Sequence, residues 1–305
     1  MTITASLVKD LRTTTGAGMM DCKKALVEVN GDFEAAIDWL RTKGLAAAAK
    51  KAGRVASEGL VSLCVNGTKG AAVEINSETD FVAKNETFQN IVREVAEIAV
   101  TQNDIDTLKG ANAKSGKSVE DEIIANVATI GENLNLRRMQ TVEVSDGVVA
   151  SYIHNAAAEN MGRIAVLVAL ESTGDKSKLM EVGKQIAMHI AAARPECLTR
   201  NEVPADTVQR ERDIFTEKSK ASGKPDNIIE KMIEGRIRKF MEEIVLLDQT
   251  FVIDGKTKIS DVVAGLAKEL GTSVELKSYV RLELGEGVEK EETNFADEVA
   301  AVTKG

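Results

Sequence analysis

Gly59-Leu60-Val61-Ser62-Leu63-Cys64-Val65, then Asn66-Gly67, then Gly70-Ala71-Ala72-Val73-Glu74-Ile75 is the stretch that decides the fold. Two apolar, β-rich runs flank an Asn-Gly pair, and Asn-Gly supplies the positive φ angles of a tight two-residue turn. The pattern predicts a β-hairpin. Downstream the period changes: Phe88, Ile91, Val92, Val95, Ile98 and Ala99 recur at helical spacing and mark an amphipathic helix. Between hairpin and helix lies Asn76-Ser77-Glu78-Thr79-Asp80-Phe81-Val82-Ala83-Lys84-Asn85. It sets one of the few aromatic residues where a turn is expected, which suggests a probe for another molecule's surface. The competing reading has Phe81 close the core of the following helix, with Asp80 as its N-cap.

The same plan returns further along. Val148-Val149-Ala150-Ser151-Tyr152-Ile153-His154 and Arg163-Ile164-Ala165-Val166-Leu167-Val168-Ala169-Leu170 pair as strands, and a helix through Leu179, Val182, Ile186 and Ile190 follows. A hairpin followed by a helix, twice, predicts an α+β core of two related subdomains with antiparallel sheets. The first covers residues 55–140, where a helix around Val119–Val127 leads into the polar stretch Asn133-Leu134-Asn135-Leu136-Arg137-Arg138. The second covers 141–197 and resumes at 247–283, with a strand at Thr250–Ile253, a helix at Val262–Leu270 and a strand at Val274–Leu284.

Residues 1–54 predict three short helices and a linker. Ser6 caps the first, which ends near Thr13, and Gly16-Ala17-Gly18 breaks the pattern. Asp21 caps the second, Gly31 stops it, and Asp32 caps a third built on Phe33, Ala36, Ile37 and Leu40. The Ala/Lys-rich run Ala46 to Arg54 continues as a helical linker. So small a bundle barely fills its own core and is expected to dock on something. In residues 198–246, charge-laced patterns at Val208–Lys220 and Ile228–Val245, split by Ser222-Gly223-Lys224-Pro225, predict a projecting helical hairpin. It is either an interaction arm or a solvated insertion. Residues 284–305 form an acidic, helix-forming tail that carries Phe295.

Length and charge narrow the class. A chain of 305 residues has room for about two domains. A net charge of −9 argues against general nucleic-acid affinity. The stretch Met1 to Leu11 has no apolar core of signal-peptide length, and no apolar run reaches 18 residues, so a cytoplasmic protein is expected. Cys22, Cys64 and Cys197 are odd in number, far apart and without zinc spacing, and read as reduced thiols. The only two histidines, His154 and His189, leave little for metal or acid–base chemistry. His189 lies in an apolar helical run and reads as a packed core residue. His154 ends a strand at a loop, where an exposed contact and an idle position are both open. No phosphate loop, dinucleotide motif or nucleophile elbow is present. No catalytic residue, cofactor or metal is therefore expected, and contact with another protein is the remaining role.

Longer matches add to this. Leu7-Val8-Lys9-Asp10-Leu11-Arg12-Thr13-Thr14-Thr15-Gly16-Ala17-Gly18-Met19-Met20-Asp21-Cys22-Lys23-Lys24-Ala25-Leu26 resembles the signature of bacterial elongation factor Ts. So do Thr79-Asp80-Phe81-Val82-Ala83-Lys84-Asn85, Met188-His189-Ile190-Ala191-Ala192 and Gly285-Glu286-Gly287-Val288-Glu289-Lys290, in family order across the chain. The resemblance implies a ubiquitin-associated-like three-helix domain, a two-subdomain core, a coiled-coil insertion and a C-terminal helical module. It also implies guanine-nucleotide exchange on elongation factor Tu, engaged in its GDP-bound and nucleotide-free forms. On that resemblance Thr79, Asp80, Phe81 and Val82 disturb the GTPase's magnesium site, while Lys9, Met19, Met20, Lys23 and His154 make further contacts. Homodimerisation through the arm stays open, with no direct nucleic-acid or membrane partner. The rival role is a scaffold that uses the three-helix domain and the arm.

Overall fold

The structure, a computed structural model, describes residues 3–15, 17–220 and 225–288, apart from the side chains of Ala47 and Lys220. Gly16, the residues 221–224 between the arm helices and the tail from residue 289, with Phe295, lie outside the described residues.

Three helices open the chain: α1 (Ala5–Thr15), α2 (Met19–Glu28) and α3 (Phe33–Lys51). They close on Val8, Leu11, Cys22, Ala25, Leu26 and Ala36. Their caps differ in part from the sequence expectation. At the start of α1 it is Thr4, not Ser6, whose hydroxyl accepts the Leu7 amide at 3.2 Å, and the helix runs past Thr13. Gly18 is the N-cap of α2, so Asp21 sits in the first turn, where its charge meets the positive end of the helix dipole. Asp32 does cap α3, accepting the Ala35 amide at 2.9 Å.

The hairpin forms from β1 (Glu58–Asn66) and β2 (Lys69–Ser77), paired without interruption from Glu58 opposite Ser77 to Asn66 opposite Lys69. Then come α4 (Glu86–Ala99), a short α5 (Ile105–Gly110) that periodicity did not reveal, α6 (Val119–Ile130) and β3 (Asn135–Glu143). β3 corrects the reading of Asn133–Arg138 as a polar stretch: it is a full strand, antiparallel to β2, and it crosses residue 140. The Ala/Lys-rich run is helical as far as Lys51. α3 lies against α6, and its Lys51 ammonium donates to the Gly131 carbonyl.

The second half repeats the order. β4 (Gly147–Ala158) and β5 (Met161–Glu171) form a hairpin, and α7 (Lys176–Ala193) follows. The arm helices α8 (Ala205–Lys220) and α9 (Asp226–Ile244) precede α10 (Ile259–Leu270) and β6 (Glu275–Glu283), which pairs with β5. The strand expected at Thr250–Ile253 does not form. Apart from a single bridge from Thr250 to Lys258, the segment is a turn in which the Gly255 amide bonds the Phe251 carbonyl at 2.8 Å. Phe251 is drawn inward there to the core over α7.

The fold is therefore α+β, built on a curled antiparallel sheet ordered β3-β2-β1-β5-β4 with β6 on β5. The two hairpins join where β1 meets β5 over two pairs, Val61 with Gly162 and Ser62 with Met161. On either side of that seam the halves fold face to face around Val61, Leu63, Ala72, Val149, Leu167, Val280 and Leu282. Each of these Val and Leu side chains contributes about 1.5–3 kcal/mol by leaving water. Gly70 sits in this interface because no side chain fits: a Cβ there would lie 2.8 Å from Val149 Cγ1. The outer face of β1 and β2 packs on α4 and α6, and that of β4 and β5 on α7 and α10.

A carboxylate lies inside the sheet. Glu74 of β2 is fully buried. Its carboxylate accepts from Arg138 Nε at 2.5 Å, Arg137 Nη1 at 3.1 Å, Asn76 Nδ2 at 2.9 Å and the Gly285 amide at 2.8 Å. A register shift between Glu74 and Ile75 makes Arg137 the extra residue of a bulge, which brings two successive guanidiniums to one carboxylate. Removing one partner of a buried ion pair strands the others. Glu74→Ala should therefore lose about 3 kcal/mol of unfolding free energy, read from urea denaturation. A loss under about 1 kcal/mol would show that water satisfies the arginines.

His189 of α7 is a fully buried core residue. Its Nε2 lies 2.9 Å from Gln249 Oε1 and its Nδ1 accepts the Val252 amide at 3.3 Å, so the neutral Nε2–H tautomer satisfies both. Burial pushes the imidazole below its ordinary 6.5, against the opposing hydrogen bond from Gln249. A lowered folded value makes the contribution complete above 6.5 and drains it as pH falls toward the folded value. The urea midpoint advantage of the wild type over His189→Gln should thus be largest above pH 6.5 and shrink on acidification. A gap that stays constant to pH 5, roughly the lower end of histidine titration, would contradict a neutral buried imidazole.

Candidate protein-docking site

The segment after β2 leaves the sheet at Ser77 and enters a 3-10 turn at Val82–Lys84. Two residues tether it from below. The Glu78 carboxylate accepts the Asn133 amide at 2.6 Å and pairs with Arg54 at 3.1 Å. Thr79 donates its amide (2.9 Å) and its hydroxyl (2.6 Å) to the two oxygens of Glu132. At the far end Val82 is buried in the core under α4. Between these anchors Asp80 and Phe81 stand at the surface, with Phe81 77% exposed.

That exposure removes the reading in which Phe81 fills the core of the following helix. Phe88 does so, fully buried on the inner face of α4. Nor is Asp80 the cap: Asn85 is, its side chain accepting the Phe88 amide at 3.2 Å. The Phe81 ring is held out in water on a backbone fixed at both ends.

The remaining expected contact residues lie on other elements. Lys9 is exposed on α1, and Met19, Met20 and Lys23 are exposed on α2, whose opposite face buries Cys22, Ala25 and Leu26. Met19 is 55% and Met20 74% exposed, and exposed Val27 lies about two turns further along the same helix. His154 does not end a strand at a loop. β4 continues to Ala158, and His154 is an exposed mid-strand residue opposite Ile164, its Nδ1 3.1 Å from the Tyr152 hydroxyl. The chain reverses only at Glu159 and Asn160, with Asn160 at φ 57. Thr79–Val82 after β2, Lys9 on α1, Met19, Met20 and Lys23 on α2 and His154 on β4 thus lie on four separate elements.

Sequence reasoning missed Glu132 and the tether it makes. Its one local signal was Gly131, the left-handed C-cap of α6 at φ 90, which turns the chain back toward the loop. Among the described residues no group of His, Cys, Asp and Glu is arranged to hold a metal ion, and no helix is long and apolar enough to cross a membrane.

One clamped loop with an exposed aromatic tip and a helical apolar patch mark the surface of this α+β protein. The sequence matches the family described as Elongation factor TS over residues 78–286. It is 57% identical over 304 residues to elongation factor Ts of Rickettsia felis, covering 99% of this chain and 98% of that one. It is 58% identical over 305 residues to elongation factor Ts of Rhodospirillum rubrum, covering 99% of each. The chain belongs to the elongation factor Ts family.

The Asn85 cap sets where the exposed segment ends and α4 begins. Asn85→Ala should cost about 1 kcal/mol in urea unfolding, and Asn85→Asp should restore most of it. Equal midpoints for wild type and the alanine variant would show that the cap does not hold this boundary.

Proposed function

We propose that this protein is a guanine-nucleotide exchange factor of translation elongation. It binds elongation factor Tu carrying GDP, disturbs the magnesium and phosphate site, and releases GDP so that GTP can enter. Family membership supports the partner and the reaction, and the observation that carries the mechanism is the exposure of Phe81 on its tethered loop. A GTPase holds its nucleotide through a magnesium ion and a phosphate-cradling loop. A ring wedged between the elements that carry these weakens both. The Asp80 carboxylate beside it competes for backbone donors or for the cation itself. Thr79 and Val82 hold the pair in place from either side.

In this reading the three-helix N-terminal domain is the docking platform. Met19 and Met20 supply apolar area, Lys9 and Lys23 supply charge, and His154 adds a contact from the sheet. The α8–α9 hairpin and the C-terminal segment from residue 284 are additional modules on the same core.

Linkage then gives exchange without catalysis. A factor that binds nucleotide-free GTPase more tightly weakens nucleotide binding in the complex by the same factor. A coupling of about 4 kcal/mol corresponds to roughly a thousandfold weakening. The final GDP–GTP equilibrium is unchanged, and only the rate of approach rises.

Stopped-flow release of a fluorescent GDP from the cognate elongation factor Tu tests this. Acceleration at micromolar protein is expected. Phe81→Ala should slow release about tenfold to a hundredfold, the value of burying one phenyl ring in the partner. Its circular dichroism should match wild type, because the ring is not part of the core. No acceleration by the wild type would refute the function, and loss of helix in the variant would refute the role of Phe81.

A further inference from the structure

We propose that Glu132 is the positioning residue of the Asp80–Phe81 loop, and that the 131–133 segment ties this loop to the N-terminal helical domain. The proposal rests on the exchange reading above for its activity arm, but the tether itself is independent of it. Glu132 is half-buried and uses both carboxylate oxygens on one residue, the amide and hydroxyl of Thr79. Hydrogen bonds to an ionised acceptor are the stronger kind, and two from one residue fix orientation as well as distance. Its neighbour Asn133 donates its backbone amide to Glu78 at 2.6 Å. Thus two adjacent loop residues, 78 and 79, are each held by one of two adjacent residues, 133 and 132.

The same short segment reaches the other way. The Asn133 side chain donates to the Arg54 carbonyl at 2.9 Å, the Arg54 guanidinium pairs with Glu78 at 3.1 Å, and Lys51 at the end of α3 donates to the Gly131 carbonyl. α3 belongs to the three-helix core that carries Met19 and Met20. A displacement of that domain on docking therefore pulls on residues that also hold the Phe81 loop.

If the loop must occupy one arrangement to act, its effective strength scales with the fraction of time it does so. Removing the Glu132 carboxylate lowers that fraction without touching Asp80 or Phe81. Glutamine can replace both bonds, since its carbonyl accepts the Thr79 amide and its amide donates to the hydroxyl.

The experiment combines amide hydrogen exchange on the free full-length protein with GDP release. In Glu132→Ala the Thr79 amide should exchange about tenfold faster or more, the loss of roughly one charge-assisted bond. Global thermal stability should stay near wild type. GDP release should slow about tenfold, with Glu132→Gln close to wild type. In a Phe81→Ala background, Glu132→Ala should add little, because the group it positions is gone. Unchanged exchange of the Thr79 amide, or losses that multiply in the double variant, would overturn the proposal. If the wild type failed to accelerate GDP release, the exchange reading would fall, and the Thr79 amide alone would decide the tether.

Discussion

The fully buried carboxylate of Glu74 is the constraint on which the rest of the structure depends. A charge in the interior is tolerated only when its desolvation is offset by good partners. Here those partners come from three parts of the chain: Arg137 and Arg138 on β3, Asn76 on β2, and the amide of Gly285 after β6. The arginines continue outward, Arg137 to the Glu286 carbonyl at 2.6 Å and Arg138 to the Glu283 carbonyl at 2.6 Å. One charge thereby sets the register and bulge of β3 against β2 and secures the end of β6 between the two halves of the sheet. It also orders the last residues of β2, from which the exposed loop departs.

The loop inherits that order. Its base is held by carboxylates, its exit is held by Val82 and the Asn85 cap, and its tip is left to solvent. Fixing the backbone in advance reduces the entropy that a partner must remove on binding. An exposed ring on a flexible turn would find hydrophobic contacts in its own chain. An exposed ring on a clamped turn stays available. Phe81 and Phe88 are seven positions apart and chemically identical, yet one is 77% exposed and the other fully buried, because only Phe88 faces inward from α4.

Much of the architecture was legible in the residues. The hairpin at Asn66-Gly67 (its turn shifted by one residue to Gly67 and Thr68, with Gly67 at φ 62 and Asn66 paired to Lys69), the helical spacing of Phe88 to Ala99, the Asp32 cap and the position of His189 in an apolar helix all depend on neighbours close in sequence. The errors share the opposite cause. β3 looked polar because Arg137 and Arg138 were read without Glu74, whose buried carboxylate gives both guanidiniums a partner at the bulge. Thr250–Ile253 looked like a strand because β-rich residues were read without the core that draws Phe251 inward. At the site, the odd placement of Phe81 was visible, but whether it faced core or water was not, and the role of Glu132 had only the neighbouring Gly131 to signal it.

The sequence by itself determined the hairpins, the amphipathic helices, the helical arm and the family to which the chain belongs. These follow from turn stereochemistry, periodicity and motifs in order, all of which are properties of the chain read along its length. Only the tertiary structure decided that the two hairpins share one curled sheet and close face to face, that Phe81 is free, and that Thr79 hangs from Glu132. Each of these depends on contacts between distant residues: Glu74 and Arg138 are 64 positions apart, Glu74 and Gly285 are 211, and Thr79 and Glu132 are 53. Local propensity carries no information about such pairs, because their energy exists only once the chain has brought them together.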